Sequence, residues 1–244
     1  MNRWKDNHQR VYRKSVSSDN LVNYNVVVRE TDLLISSDSD LASIALESTY
    51  KYRRYLESYI DIHPDFLTSL SPVPRDKLVP EIIKDMIEAS FLYNVGPMAS
   101  VAGAIAQYVG RDLLMHSENV IVENGGDIFI SLKRKSRVGI FSGDSAFGSK
   151  VSLKLRSDEM PLGICTSSAT VGPSLSFGSA DAVCVKSYSA VLADAAATAI
   201  GNIIKDKKDI RMALRFAQRF KRTIRGVVII IGDHLGAWGD IDLS

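Results

Sequence analysis

The segment VNYNVVVRE, residues 22–30, is β-branched and partly alternates apolar with polar positions. A period near two predicts a strand there. Residues 33–36 predict a second. The period then lengthens. Over 39–62, Leu41, Ile44, Ala45, Tyr52, Tyr55, Leu56 and Tyr59 fall on one broad face of a helix, with Asp38 or Ser39 placed to cap it. His63-Pro64 ends that helix, because the residue before a proline avoids the helical region. Pro80 suits the first position of another helix running to about Val95. Gly96-Pro97 interrupts the pattern, and a helix dense in alanine and glycine follows over 98–108. Strands are predicted over 120–124, 127–132, 138–141, 151–155, 163–167 and 182–186. An alanine-rich helix containing LADAAATAIGN, a basic helix over 209–220 and a strand over 224–231 close the chain. Strands and helices do not alternate strictly. The order therefore predicts an α+β fold with a largely antiparallel sheet packed by helices.

Composition narrows the class of protein. The 244 residues are read as a single domain spanning 1–244, long enough to bury a substantial core. A net charge of +2 gives no overall field that points to nucleic acid or to an anionic membrane. Two cysteines cannot complete a four-ligand zinc site, and a reduced setting is the default for them. The polar start MNRWKDNHQRVYRK lacks the apolar core of a signal peptide. The longest strongly apolar run, VVIII, is far short of the roughly 20 residues that span a bilayer. A cytoplasmic location, with no membrane partner, is expected.

Five segments have chemical potential, and each also has a plain structural account. In ENGGD, residues 123–127, the two glycines suit a tight hairpin turn. Bare backbone N–H groups there, with Asn124 and Asp127 beside them, would equally suit a phosphate or ribose. The small residues over 96–106 allow close packing, and the N-terminus of their helix presents N–H groups that attract an anion. The hydroxyls of CTSSAT, residues 165–170, either cap a turn or hold a polar ligand. A serine nucleophile would need a base, and none of the four histidines lies near in sequence. Asp194 and Thr198 stand four apart on one helix face. Asp194 as a cap and Thr198 bonded back to the preceding turn is one account; two oxygen ligands for Mg²⁺ is the other. Arg211, Arg215 and Arg219 line one face of the basic helix. A solvated face explains them, since no aromatic platform interleaves the charges as nucleic-acid binding would need.

Taken in order, GPMA (96–99), NGGD (124–127), TSS (166–168) and LADAAATAIG (192–201) resemble the motifs of the ApbE superfamily, the FAD:protein FMN transferases. The resemblance covers roughly 96–202 and implies an ApbE-like, T-fold-related core. It also implies binding of FAD or FMN, with Asn124, Gly125, Gly126, Thr166, Ser167 and Ser168 contacting the cofactor. Asp194, Thr198 and the carbonyl of Ala99 would hold Mg²⁺ on its pyrophosphate. Asp127 would act in catalysis, and the acceptor would be a protein threonine. Two departures stand out. Ser100 occupies the place of a lysine that follows the G-G-I-A segment in the transferases. PSLSFG, residues 173–178, replaces a loop with histidine and aspartate. The pattern is closest to a divergent branch of the superfamily found largely in anaerobic prokaryotes and associated with sulfur assimilation and homocysteine formation. Two functions follow: a Mg²⁺-dependent FMN transferase or FAD-cleaving enzyme, and a protein that binds a flavin or another anionic metabolite without transfer. A homodimer is compatible with either.

Overall fold

The computed structural model describes residues 20–169 and 178–244. The chain opens with a hairpin of β1 (Val22–Val28) and β2 (Thr31–Ser37), followed by α1 (Ala42–Ile62), the short α2 (Asp65–Thr68) and α3 (Glu81–Tyr93). A 3₁₀ turn, Pro97–Ser100, leads into α4 (Val101–Leu113). Six strands follow: β3 (Val120–Asn124), β4 (Asp127–Ser131), β5 (Ser136–Ile140), β6 (Val151–Leu155), β7 (Leu162–Ser167) and β8 (Ala182–Ser187). Then come α5 (Ala190–Ile203), α6 (Ile210–Gln218), β9 (Gly226–Ile231) and β10 (His234–Gly239). Eight strands form one antiparallel sheet in the order β1-β2-β3-β4-β7-β8-β9-β10, and β5 pairs with β6 apart from it.

The pleat of the sheet sorts side chains between two cores. In β8, Val183 and Val185 point toward the helices, while Ala182 and Cys184 point to the opposite side. The helical side buries Ile82, Ile83, Met86 and Ile87 of α3 and the alanines of α5. The other side packs Ile121, Ile128, Ile130 and Ile164 against Val138, Ile140, Leu153 and Leu155 of the β5–β6 hairpin. Both faces of the central strands are covered, which explains their near-continuous apolar runs.

On the hairpin side, β8 also buries a charge. Lys186 Nζ donates to Glu159 Oε2 at 2.9 Å and to Asp240 Oδ2 and Asp240 O at 3.2 Å each. Arg225 pairs with Asp240 and lies 3.5 Å from Glu159, and Arg156 reaches Glu159 at 3.6 Å. Every donor of the ammonium therefore has an acceptor, and the cluster ties β8 to the C-terminal segment.

The α+β class and the antiparallel sheet agree with the sequence reading; several boundaries differ. Helix α1 begins at Ala42, and neither Asp38 nor Ser39 caps it. Asp40 Oδ1 accepts from Ala42 N at 2.9 Å. Asp38 instead accepts from Ser117 Oγ, Glu118 N and Asn119 N, clamping the loop before β3. Strand β10 was not expected: HLGAWG carries two glycines and no β-branched residue, and pairing with β9 overrides that composition. Thr170 and residues 173–177 of the expected ligand loop lie outside the described residues. Among the described residues, no single helix is long and apolar enough to cross a membrane. Arg211, Arg215 and Arg219 are exposed, and Arg219 sits just past the end of α6.

Candidate functional site

The site begins where α4 and α5 touch. A Cβ on Gly103 would overlap Ala190 O and stand 2.9 Å from Asp194 Cβ, so only glycine permits this approach. The contact brings Asp194 Oδ2 to 2.9 Å from Gly103 N, across 91 residues of sequence. Ala102 N–H also donates to Asp194. Thus the N-terminal N–H groups expected to await an external anion are in part already given to Asp194. The helix terminus favours negative charge there and fixes the direction of the carboxylate.

This geometry overturns the plain account of Asp194 and Thr198. The cap of α5 is Ser189, whose side chain accepts from Leu192 N. Asp194 caps a neighbouring helix, not its own. Among the described residues, the Thr198 hydroxyl has no hydrogen bond back to the preceding turn. Both oxygens lie on one face of α5, and both side chains are half-buried. A carboxylate has about four acceptor positions, and the two N–H groups leave others open.

The NGGD turn lies beside them. Gly125 and Gly126 have φ of 66° and 105°, as a two-residue type I′ hairpin requires. A Cβ at either would meet nothing within 4 Å, so their backbone faces open space. Glu123 Oε1 closes the turn by accepting from Gly126 N at 2.7 Å. Asn124 Nδ2 donates to Ala102 O at 3.1 Å, fastening the turn to the first residues of α4.

Asp127, the residue after the turn, is buried on the helical side of the sheet. Its Oδ1 accepts from Thr166 N at 3.2 Å, which anchors the end of β7. The Cys165 thiol reaches both Asp127 and, at 3.4 Å, Ala190 O; its single proton serves one at a time. Burial pushes the Asp127 carboxyl well above the usual range, and the nearby charge of Asp194 adds to the effect. Burial likewise lifts Asp194, to about 7, although the N–H groups of Gly103 and Ala102 pull it down. Burial raises the Cys165 thiol, reinforced by both aspartates. No cationic side chain is among the causes acting on either aspartate.

Ser167 and Ser168 follow Thr166, half-buried. Ser167 Oγ lies 3.5 Å from where a Cβ on Gly201 would stand, so the end of β7 runs against the last turn of α5. Ala99 sits in the 3₁₀ turn that packs against α5. Ser100 is buried and donates to Pro97 O at 2.9 Å. The structure joins Asp127 to Thr166 directly and links Asn124 to Asp194 through Ala102, while the charge of Asp194 acts on Asp127; Gly103, Ala102 and Cys165 are part of the same network. The sequence reading missed those three as site residues. A glycine inside a helix was the available signal for Gly103. Among the described residues, no three His, Cys, Asp or Glu side chains converge as a metal site. Any cation here needs oxygens from a hydroxyl, a carbonyl, a phosphate or water, a donor set that suits Mg²⁺.

The fold is that of the ApbE proteins, as the comparisons with known proteins show. A family model described as "AbpE bacteria" matches residues 13–238, and the chain belongs to that family. Among its relatives is a UPF0280 protein of Methanococcus maripaludis, 42% identical over 224 residues, covering 88% of this chain and 90% of the relative. A UPF0280 protein of Methanocaldococcus jannaschii is 41% identical over 222 residues, with the same shares covered. The flavinyl transferase ApbE of Pseudomonas stutzeri, solved in its apo form, superposes with a TM-score of 0.57 at 11% identity, covering 89% of this chain and 94% of that one. The ApbE protein of Thermotoga maritima gives 0.54 at 14% identity, covering 88% and 96%. At identities this low, the superpositions establish a shared fold alone.

Proposed function

We propose that the site binds a flavin dinucleotide together with a divalent cation, in the manner of a FAD:protein FMN transferase. Asp194, Thr198 and the carbonyl of Ala99 would hold Mg²⁺. Asn124, Gly125 and Gly126 would contact the nucleotide from the turn, and Thr166, Ser167 and Ser168 from the end of β7. One observation carries this reading. Asp194 and Thr198 share a face of α5, are not used by their own helix, and stand next to a second carboxylate with no cation to offset either. When bound, Mg²⁺ supplies Lewis-acid stabilisation of a pyrophosphate undergoing cleavage. Asp194 is held in place for that role by Gly103 and Ala102. Burial, with the Asp194 charge beside it, favours the protonated form of Asp127. Breaking the pyrophosphate would join the FMN phosphate to an acceptor hydroxyl and release AMP.

A specific observation favours binding without transfer. Ser100, standing where the transferases have lysine, is buried and turned onto Pro97 O, so it brings neither charge nor a free hydroxyl to the ligand. Incubation with FAD, MgCl₂ and a threonine-containing acceptor peptide separates the two readings. AMP release and a flavinylated peptide support the transferase. Quenched flavin fluorescence without AMP supports binding alone. Affinity for FAD that is the same in Asp194→Ala as in the wild type would sink both.

A further inference from the structure

We propose that β1 is a dimerisation edge, pairing antiparallel with β1 of a second copy of this chain about a two-fold axis through Tyr24. The eight-stranded sheet has two edges, and they differ. Strand β10 contains two glycines and ends at Gly239 with φ of 91°. Strand β1 runs seven residues, VNYNVVV, in unbroken register with β2. It carries no charge, no proline and no bulge, the features that normally blunt an edge against pairing. Val22 and Val27 are 42% and 59% exposed. Among the described residues, no strand pairs with the outer row of backbone N–H and C=O groups of β1, which is a template for another strand.

The sequence of this strand favours itself as the partner. VNYNV, residues 22–26, reads the same in both directions. A symmetric dimer interface is self-complementary: residue i meets j, and j meets i. Centring the pair on Tyr24 sets Asn23 opposite Asn25 of the second copy, Val22 opposite Val26, and Leu21 opposite Val27. Apolar then faces apolar and amide faces amide. Asn23 Oδ1 already accepts from Ser36 Oγ at 2.5 Å, which orients its NH₂ group as the donor toward the opposing asparagine. An edge alone is small for a stable interface. The flank of α1 enlarges it, with exposed Leu46 and Tyr50 and a cleft of about 430 Å³ between α1 and the end of β1. That cleft is lined by Arg29, Lys51, Arg53 and Arg54 and by Glu47 and Glu57, so groups of both signs border the edge.

The test is molar mass by light scattering after size exclusion, over a range of concentrations. The wild-type protein is expected at twice the chain mass of 26.8 kDa. Val27→Lys, at an exposed position, is expected to weaken dimerisation at least 100-fold and yield the monomer with an unchanged circular dichroism spectrum. An equimolar mixture of Asn23→Cys and Asn25→Cys proteins, oxidised, is expected to give a disulfide-linked dimer that neither variant forms as fully alone. The native cysteines are buried and will not compete. A wild-type mass of 26.8 kDa at all concentrations overturns the proposal. A dimer that survives Val27→Lys and fails to cross-link in the mixture overturns it too, by placing the interface elsewhere.

Discussion

Two groups of carboxylates, each with one buried member and one half-buried, lie on opposite sides of the sheet. Toward the β5–β6 hairpin, Glu159 and Asp240 meet Lys186, Arg225 and Arg156. Toward the helices, Asp127 and Asp194 meet N–H groups and a thiol. The first group is electrically complete, and Asp240 lies below the ordinary range because Lys186, Arg225 and Arg156 outweigh its desolvation. The second is incomplete, and both its carboxyls lie above the ordinary range. A closed ion cluster is what a chain uses to fasten parts together. The second group has no cationic side chain among its partners, and the proposed cation would offset it.

The largest effect should come from breaking the closed cluster. Lys186→Met leaves Glu159 buried with reduced compensation, and the loss should be about 3–5 kcal/mol of stability in urea unfolding. Gly103→Ala comes next. The added methyl must push α4 from Ala190 and Asp194, costing about 1–3 kcal/mol and weakening Mg²⁺ binding in calorimetry. An undiminished Mg²⁺ affinity would mean that the α4–α5 contact does not set the direction of Asp194.

The pH response separates the clusters by sign. Asp127 and Asp194 have folded pKa values raised above their unfolded ones, so the native state binds more protons above about pH 4, up to about pH 7 for Asp194. Their contribution is present below the unfolded pKa and is lost as pH rises. Asp240, lowered in the fold, does the reverse: its contribution is present above its unfolded pKa and is lost on acidification. The unfolding free energy of the wild type should therefore fall relative to Asp194→Asn from pH 5 to pH 8, by an amount on the order of 1 kcal/mol. Saturating MgCl₂ at pH 8 should erase the gap. A difference that is flat with pH would show that Asp194 is ionised in the fold without strain. The smallest effect is expected for Asp194→Asn on stability near neutral pH, within about 1 kcal/mol, because the amide oxygen can still accept from Gly103 N–H. The same variant should lose its Mg²⁺ response.

Local pattern made most of the fold legible. Strands β3 and β6 match their predicted limits, since β-branched runs bounded by turn residues leave little choice. The start of α1 was misplaced because three successive residues, Asp38, Ser39 and Asp40, can each act as a cap, and a long-range contact with Ser117–Asn119 decides among them. The site was legible only in part. The i, i+4 spacing places Asp194 and Thr198 on one face, yet nothing local to α5 says that Asp194 caps α4. The mutual pressure of Asp127 and Asp194 was hidden altogether, because β4 and α5 meet only in the folded chain.

The NGGD turn also sets a stereochemical opportunity. Gly125 and Gly126 sit at φ of 66° and 105° with nothing near the place of a side chain. Mirror-image residues favour that half of the backbone map. A semisynthetic protein with D-alanine at position 125 should therefore keep the turn and stiffen it.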